Sequence, residues 1–177
     1  MWPAVLRAAA TALAALAVLA PAAGAKKGST IYGSRLLWAT VNVCDTPEHP
    51  DMIGVRASIP GSGIAAERMY VRFQVQYYSA SEGEWHNLLS GGDSGWIPVG
   101  SGRYRARQAG RSFRFQAPSG DGTETLRGAV TFEWRRGDRV VRRARKRTTA
   151  GHRDARDGDP AGYSAAVCEL ESASPSG

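Results

Sequence analysis

The chain has 177 residues, 42% of them hydrophobic, and its 23 basic against 16 acidic side chains give a formal net charge of +7. This length suits one domain with a substantial core, and the positive charge favours acidic partners, although GC-rich coding also enriches arginine, alanine and glycine. The two cysteines exclude a C-x-x-C redox centre, and they exclude a zinc site because no histidine lies at ligand spacing from either.

The first residues have the features of a secretory signal. Arg7 supplies a short positive segment, the run 8–20 is apolar apart from Thr11, and residues 23–25 (Ala-Gly-Ala) are the small residues that signal peptidase accepts. The run is shorter than the roughly 20 apolar residues that a membrane-spanning helix needs. We therefore expect residues 1–25 to be cleaved as a signal peptide. The mature protein is then secreted or stays in the extracytoplasmic cell envelope, without stable membrane insertion.

The mature chain shows the two-residue alternation of β-strands, and no helical period of useful length follows the signal. The clearest strand alternates Val71, Phe73 and Val75 with polar residues, so Phe73 and Val75 are expected in the core together with Phe132 and Trp134 of a later strand. Segments rich in Gly, Ser, Asp and Pro separate about eight short strands, at spacings typical of a sandwich. The predicted strands cover residues 36–44, 53–59, 71–78, 104–107, 113–115, 130–135, 140–147 and 163–170.

These elements predict an all-β fold, an antiparallel sandwich of two sheets that bury their alternating faces against each other. The strand 69–75 and the hairpin 130–141 carry a resemblance to immunoglobulin-like and fibronectin type III-like domains. The resemblance extends over most of residues 34–171, the predicted domain, which lies between a flexible lead-in at 26–33 and a disordered tail at 172–177. It implies an architecture and no particular function.

Cys44 and Cys168 are expected to form one disulfide bond, because export places an even number of cysteines in an oxidising compartment. Closing so long a loop would stabilise the fold by on the order of 5 kcal/mol. The two cysteines fall in the first and last predicted strands, unlike those of antibody domains. The bridge is therefore expected to clasp the terminal strands together and not to lie in the core.

The most strongly charged segment is the predicted hairpin 135–147, which has eight basic residues and one acid, Asp138. Arginine forks on such a strand suit the phosphate, sulfate or carboxylate groups of an acidic polymer or glycan. The alternative is a solvated edge strand whose charges prevent aggregation and contribute little to stability. The polyanion-binding candidates are Arg135, Arg136, Arg139, Arg142, Arg143, Arg145, Lys146 and Arg147.

A second candidate is the polar segment 79–102, predicted to be a long loop that carries Trp85 and Trp96. Exposed aromatic rings stack on sugars, so both tryptophans are candidate carbohydrate contacts. The alternative is that the two rings cover the edge of the core.

Three shorter motifs have simpler explanations than function. Residues 92–95 (Gly-Asp-Ser-Gly) match the nucleophile turn of chymotrypsin-like proteases, but no upstream histidine has the required context. Residues 136–138 (Arg-Gly-Asp) match an integrin-binding tripeptide, although a hairpin turn needs glycine there in any case. Asp154, Asp157 and Asp159 crowd one loop without a calcium-binding pattern.

The sequence therefore predicts a secreted, non-enzymatic β-sandwich module with a binding or structural role at the cell envelope or outside the cell. The alternative is a polyanion- or carbohydrate-binding protein that uses the basic hairpin or the Trp-containing segment. A hydrolase ranks after both, since the three histidines do not assemble a nucleophile, a base and an orienting group. No cofactor and no metal site is predicted, and the only partner class indicated is an acidic polymer or glycan.

Overall fold

The structure is a computed structural model that describes residues 31–116 and 122–171. The predicted signal peptide at 1–25, most of the lead-in and the predicted tail at 172–177 lie outside these residues. In the described ranges no helix is long and apolar enough to cross a membrane. The elements are a 3-10 helix at Ile31–Gly33 and the strands β1 (Trp38–Thr46), β2 (His49–Pro60), β3 (Arg68–Ser79), β4 (Glu84–Asn87), β5 (Asp93–Ser101), β6 (Ala106–Arg114), β7 (Thr123–Arg136), β8 (Arg139–Arg147) and β9 (Cys168–Glu171).

The nine strands of the described ranges form two antiparallel sheets. Strands β1, β2 and β6 make a three-stranded sheet in that order. In the six-stranded sheet the long strands β3 and β7 pair at the centre. Strands β4 and β5 both pair with the edge of β3 that faces away from β7. Strands β8 and β9 both pair with the edge of β7 that faces away from β3. The predicted all-β antiparallel sandwich is confirmed.

The core lies between the sheets, where β3 and β7 present their hydrophobic faces. Phe73, Val75, Phe132 and Trp134 are each 0% exposed, as predicted. The polar atom of the buried Trp134 ring has a hydrogen-bond partner, because Nε1 donates to the carbonyl oxygen of Pro60 at 2.9 Å. Pro60 ends β2 in the opposite sheet, so this bond joins the two sheets within the core.

Cys44 and Cys168 form the predicted disulfide bond, with their Cα atoms 5.3 Å apart. Cys44 lies in β1 of the three-stranded sheet, and Cys168 begins β9 of the six-stranded sheet. The predicted clasp between terminal strands therefore also ties one sheet to the other. Cys168 is 1% exposed and packs in the hydrophobic core, so the expectation that the bridge lies outside the core is wrong. The reason is that β9 continues the six-stranded sheet beside β7, whose inner face lines the core.

The prediction of a long loop at 79–102 is wrong. This segment contains β4 and β5, which both pair with β3. Its glycines and Pro98 hide the strand pattern, but they are tolerated because β5 is an edge strand that leaves one side of its backbone unpaired. Trp85 and Trp96 therefore lie on β4 and β5, and not in a loop.

The other differences concern weakly patterned strands at the edges. The predicted strands 104–107 and 113–115 belong to the single edge strand β6, in which Gly110 and several arginines interrupt the apolar alternation. The predicted strand 163–170 contributes only its last residues to β9. Ile31, at the end of the predicted lead-in, packs against the core.

After β8, the segment 148–167 crosses the outer face of the three-stranded sheet. The Trp38 ring stacks on His152 with ring centroids 4.6 Å apart. The side-chain amide of Asn42 donates a hydrogen bond to the carbonyl oxygen of Asp157 at 2.7 Å. As a result, Trp38 and Asn42 are buried although they point away from the core between the sheets.

We expect Phe132→Ala to lower the free energy of unfolding by about 3–5 kcal/mol, because the change empties a packed aromatic site in the core. Urea unfolding with the disulfide intact measures this loss. The control is Thr131→Ala, on the opposite face of the same strand, which should cost under about 1 kcal/mol. Equal losses for the two variants would contradict the orientation of β7.

The contact between His152 and Trp38 predicts a pH-dependent stability. Burial lowers the pKa of His152 below its usual 6.5, and the charge of Asp154 offsets only part of this effect. The unfolded chain therefore takes up the proton more readily than the folded protein. The contribution of the buried, neutral His152 to stability is present above pH 6.5 and is lost as the pH falls through the lower pKa of the folded state.

Substitution of the ring isolates this effect. His152→Phe keeps an aromatic ring beside Trp38 and removes the titrating group. We expect the variant to lose less unfolding free energy than the parent between about pH 7.5 and about pH 5.5, as measured by urea unfolding. The same loss in both proteins would show that His152 does not cause the acid sensitivity.

Candidate functional site

The register of the six-stranded sheet brings the two candidate segments of the sequence onto one face. Arg72 of β3 is paired with Trp96 of β5 on one side and with Thr131 of β7 on the other, and Thr131 is paired with Arg145 of β8. Directly opposite residues of neighbouring strands point to the same face, so Trp96 and Arg145 stand in one row. This row is on the outer surface, because Phe73, next to Arg72, points into the core.

We call this outer surface of the six-stranded sheet the cationic face. Its arginine and aromatic residues are Arg68, Arg72, Arg127, Arg135, Arg143, Arg145, Arg147, Tyr70, Tyr78, Trp85 and Trp96. The predicted basic hairpin contributes only part of this set. Arg142 and Lys146 are paired with the core residues Trp134 and Val130 and so lie towards the other face, while Arg139 adjoins the hairpin turn.

Guanidinium groups cover the aromatic rings of the cationic face. The Cζ atom of Arg135 lies 4.7 Å from the ring centroid of Trp96 and 4.3 Å from that of Tyr70. The Cζ atom of Arg127 lies 4.0 Å from the ring centroid of Trp85. Such cation–π contacts favour fixed positions for the two arginines. Trp85 and Trp96, the predicted carbohydrate contacts, are half-buried and support arginine side chains.

Glu133 is a buried carboxylate beneath the cationic face, with 1% of its surface exposed. The Nη2 atoms of Arg135 and Arg143 approach its two oxygens to 2.6 Å and 2.5 Å. A buried carboxylate is strongly unfavourable unless charged donors satisfy it, so Glu133 depends on both arginines. We therefore expect Arg143 to contribute more to stability than the sequence predicts for the hairpin arginines.

A second buried carboxylate, Glu67, holds two more arginines of the hairpin. Arg142 Nη1 lies 2.5 Å and Arg136 Nη2 lies 3.3 Å from its oxygens. Burial raises the pKa of Glu67, but hydrogen bonds from Ser62 and the arginines, with the charge of Arg142, outweigh burial and leave this pKa below its usual value. Arg136 of the Arg-Gly-Asp tripeptide is thus bound to Glu67, and Gly137 supplies the positive φ of 59° for the turn.

Three other arginines of the cationic face form no ion pair with any carboxylate of the described residues. They are Arg127, Arg145 and Arg147, which we call the Arg127 cluster. Arg127 Nε donates a hydrogen bond to Gln76 Oε1 at 2.9 Å, and the Gln76 amide donates to Asn87 Oδ1 at 2.8 Å. Burial, and then the positive charges of Arg147 and Arg145, lower the pKa of Arg127. The cluster therefore places a positioned guanidinium beside two like charges, an arrangement that an anion would stabilise.

The protease-like motif has a structural role at the junction of β3 and β5. Ser94 Oγ accepts a hydrogen bond from the backbone amide of Phe73 at 2.9 Å and donates one to the carbonyl oxygen of Gly95 at 2.7 Å. Asp93 forms an ion pair with Arg72. The serine hydroxyl and the neighbouring carboxylate are both engaged in joining the two strands.

Two of the three aspartates of the 148–167 segment also have protein partners. Asp157 forms an ion pair with Arg56, and Asp159 accepts a hydrogen bond from Thr46. Within residues 31–116 and 122–171, no group of three or more His, Cys, Asp or Glu side chains is arranged to hold a metal ion.

Sequence reasoning missed several residues of this site. Arg72 and Glu133 stand at polar positions of predicted strands, so the alternation alone could have assigned them to an outer face. Arg127 and Glu67 lie outside the predicted strands, and no local pattern marks them. Their partners are distant in the chain, so the strand register is needed to identify them.

No protein-family model matches this chain, and no curated protein or solved structure matches it either.

The buried Glu133 predicts different effects for two arginines on the same strand and the same face. Arg143→Gln removes a charged donor from Glu133, and we expect a loss of about 1–3 kcal/mol in unfolding free energy. Arg145→Gln removes a charge that pairs with no carboxylate of the described residues, so this variant should stay within about 0.5 kcal/mol of the parent. Urea unfolding of both variants at the same ionic strength measures the difference. Indistinguishable stabilities would contradict the pairing of Arg143 with Glu133.

Proposed function

We propose that this protein is a secreted β-sandwich module that binds an anionic polymer, such as an acidic glycan or a phosphate-containing envelope polymer, on its cationic face. The observation that carries the proposal is the Arg127 cluster on this face, whose guanidinium groups have no carboxylate partner among the described residues. Guanidinium forks match the oxygens of phosphate, sulfate and carboxylate groups.

The arrangement of the charges favours a polymer over a single small ion. Arg145 and Arg147 are separated by two positions on β8, which places their Cα atoms about 7 Å apart along the strand. Arg127 lies on the adjacent strand β7, so the three charges of the cluster are spread over two strands. Charges spread over a sheet surface can each meet a different anionic group of one chain, and each contact releases counterions.

A neutral carbohydrate is less well supported. Stacking on a sugar requires an aromatic face that is free to contact it. Arg135 lies over the Trp96 ring and Arg127 over the Trp85 ring, so a neutral sugar would first have to displace a guanidinium group. An acidic polymer can use Arg127 directly, because this arginine has no carboxylate partner among the described residues.

Export and the fold class complete the proposal. Residues 1–25 carry the features of a cleavable signal, and the disulfide between Cys44 and Cys168 is typical of an oxidising, extracytoplasmic compartment. The proposed immunoglobulin-like or fibronectin type III-like relationship is supported by strand order: β1, β2 and β6 correspond to strands A, B and E, and β3, β7 and β8 to strands C, F and G.

Arg145→Gln combined with Arg147→Gln tests the proposal. We expect weaker binding of heparin, used as a model polyanion. We also expect a shallower slope of log affinity against log salt concentration, by an amount that corresponds to the loss of up to about two ionic contacts. Isothermal titration at two salt concentrations measures both quantities. Neither arginine has a carboxylate partner among the described residues, so the fold should be retained.

The matched control removes the same charge elsewhere, by Arg35→Gln combined with Arg153→Gln, two exposed arginines away from the cationic face. It should retain the parental affinity. An equal loss of heparin affinity in both double variants would mean that net charge alone determines binding, and it would contradict the proposal. Unchanged affinity of the Arg145/Arg147 variant, with increased light scattering, would instead support β8 as an edge strand that charge protects from aggregation.

A further inference from the structure

A separate group of arginines surrounds the corner where the chain passes from β5 to β6. Arg68 begins β3, while Arg103 and Tyr104 lie in the β5–β6 connection and Arg107 lies in β6. The corner is far from the Arg127 cluster: Gln76, the partner of Arg127, is near the other end of β3, about 25 Å along the strand. The corner and the Arg127 cluster are therefore distinct places on the surface, and Arg68, opposite Arg135, lies where the corner adjoins the cationic face.

The corner contains a depression of suitable size for a small molecule. Its volume is about 380 Å³, and its walls include Arg68, Arg103, Tyr104, Arg107 and the backbone of Gly100. A second depression, of about 400 Å³, adjoins it across Tyr104 and Arg107. Gly100 has a φ of 123°, a conformation that residues with a side chain rarely adopt. The backbone therefore requires glycine at this position, and the wall of the depression is formed there by the main chain alone.

Tyr104 positions two of the arginines. Arg103 Nη2 donates a hydrogen bond to the phenolic oxygen of Tyr104 at 2.9 Å. The Cζ atoms of Arg107 and Arg103 lie 4.0 Å and 4.9 Å from the centroid of the Tyr104 ring. Two guanidinium groups are thus gathered around one ring at the edge of the depression.

The arginines of this corner have no carboxylate partner in the described part of the chain. Among the described residues, no Asp or Glu forms an ion pair with Arg68, Arg103 or Arg107. The hydrogen bond and charge of Arg103, and then the hydrogen bond of Arg107, lower the pKa of Tyr104 below its usual value. This direction agrees with an uncompensated positive potential in the depression.

We propose that this corner is a second anion site, which takes the phosphate or sulfate monoester group of a small molecule or of a chain end. Three guanidinium groups that border one depression can surround the several oxygens of a single tetrahedral anion. The Tyr104 hydroxyl, whose oxygen accepts from Arg103, still has its own proton to donate to the anion. The site does not depend on polymer binding at the cationic face.

Direct titration with inorganic phosphate, inorganic sulfate and glycerol phosphate tests the site, with chloride at matched ionic strength as the reference. We expect saturable binding to the mature protein beyond the chloride reference. Arg103→Gln combined with Arg107→Gln should weaken it by about tenfold or more. The matched control, Arg105→Gln combined with Arg111→Gln, removes two exposed arginines of the same connection and strand that do not border this depression and should bind as the parent does. A response to glycerol phosphate but not to the free ions would identify the monoester as the ligand.

Alkaline titration of tyrosine absorbance supplies a second readout. A bound anion neutralises the arginines, so phosphate should raise the pKa of Tyr104 towards its usual 10.0, and Tyr104→Phe should remove this response. Arg68→Gln provides an independent variant if the Arg103/Arg107 pair does not fold, and it should also weaken binding. No binding beyond chloride, equal losses in the two double variants, or a phosphate response that survives in Arg103→Gln/Arg107→Gln would each overturn the proposal.

Discussion

The pairing of β3 with β7 is the interaction on which the rest of this structure depends. The two strands pair from Arg68 opposite Arg135 to Tyr77 opposite Leu126, which makes this the longest ladder of the six-stranded sheet. One side of the ladder presents Phe73 and Phe132 to the other sheet, and burial of such rings is a main source of stability. The same register sets the outer side, so the core and the cationic face are determined together.

Arginine has two separate roles on and beside the outer side of this ladder. Around Glu133 and Glu67, the guanidinium groups neutralise carboxylates that the fold has buried, and removal of one partner would leave a charge unsatisfied. In the Arg127 cluster and at the β5–β6 corner, the arginines form no ion pair with a carboxylate of the described residues. A basic segment is therefore not a uniform surface, and the arginines that lack carboxylates are those available to an external anion.

The two sheets also differ in how their outer surfaces are used. The segment 148–167 lies over the three-stranded sheet and buries Trp38 and Asn42 through contacts with His152 and backbone carbonyls. The outer surface of the six-stranded sheet carries exposed arginines such as Arg145 instead. This asymmetry is why we propose the cationic face as the surface for a large anionic partner, and the depression at the β5–β6 corner as the site for a small anion.

The sequence by itself determined the fold class, the buried faces of β3 and β7, and the disulfide, because alternation and cysteine parity are local or countable properties. It could not determine that Trp96 and Arg145 share a row. Nor could it determine that Arg143 pairs with Glu133 while no carboxylate in the described part of the chain pairs with Arg145. Those facts depend on strand register and on contacts across the sheet, and a shift of one residue would turn each side chain to the other face. Only the tertiary structure decided them, and it also made strands of 84–87 and 93–101, where glycine and proline hide the pattern.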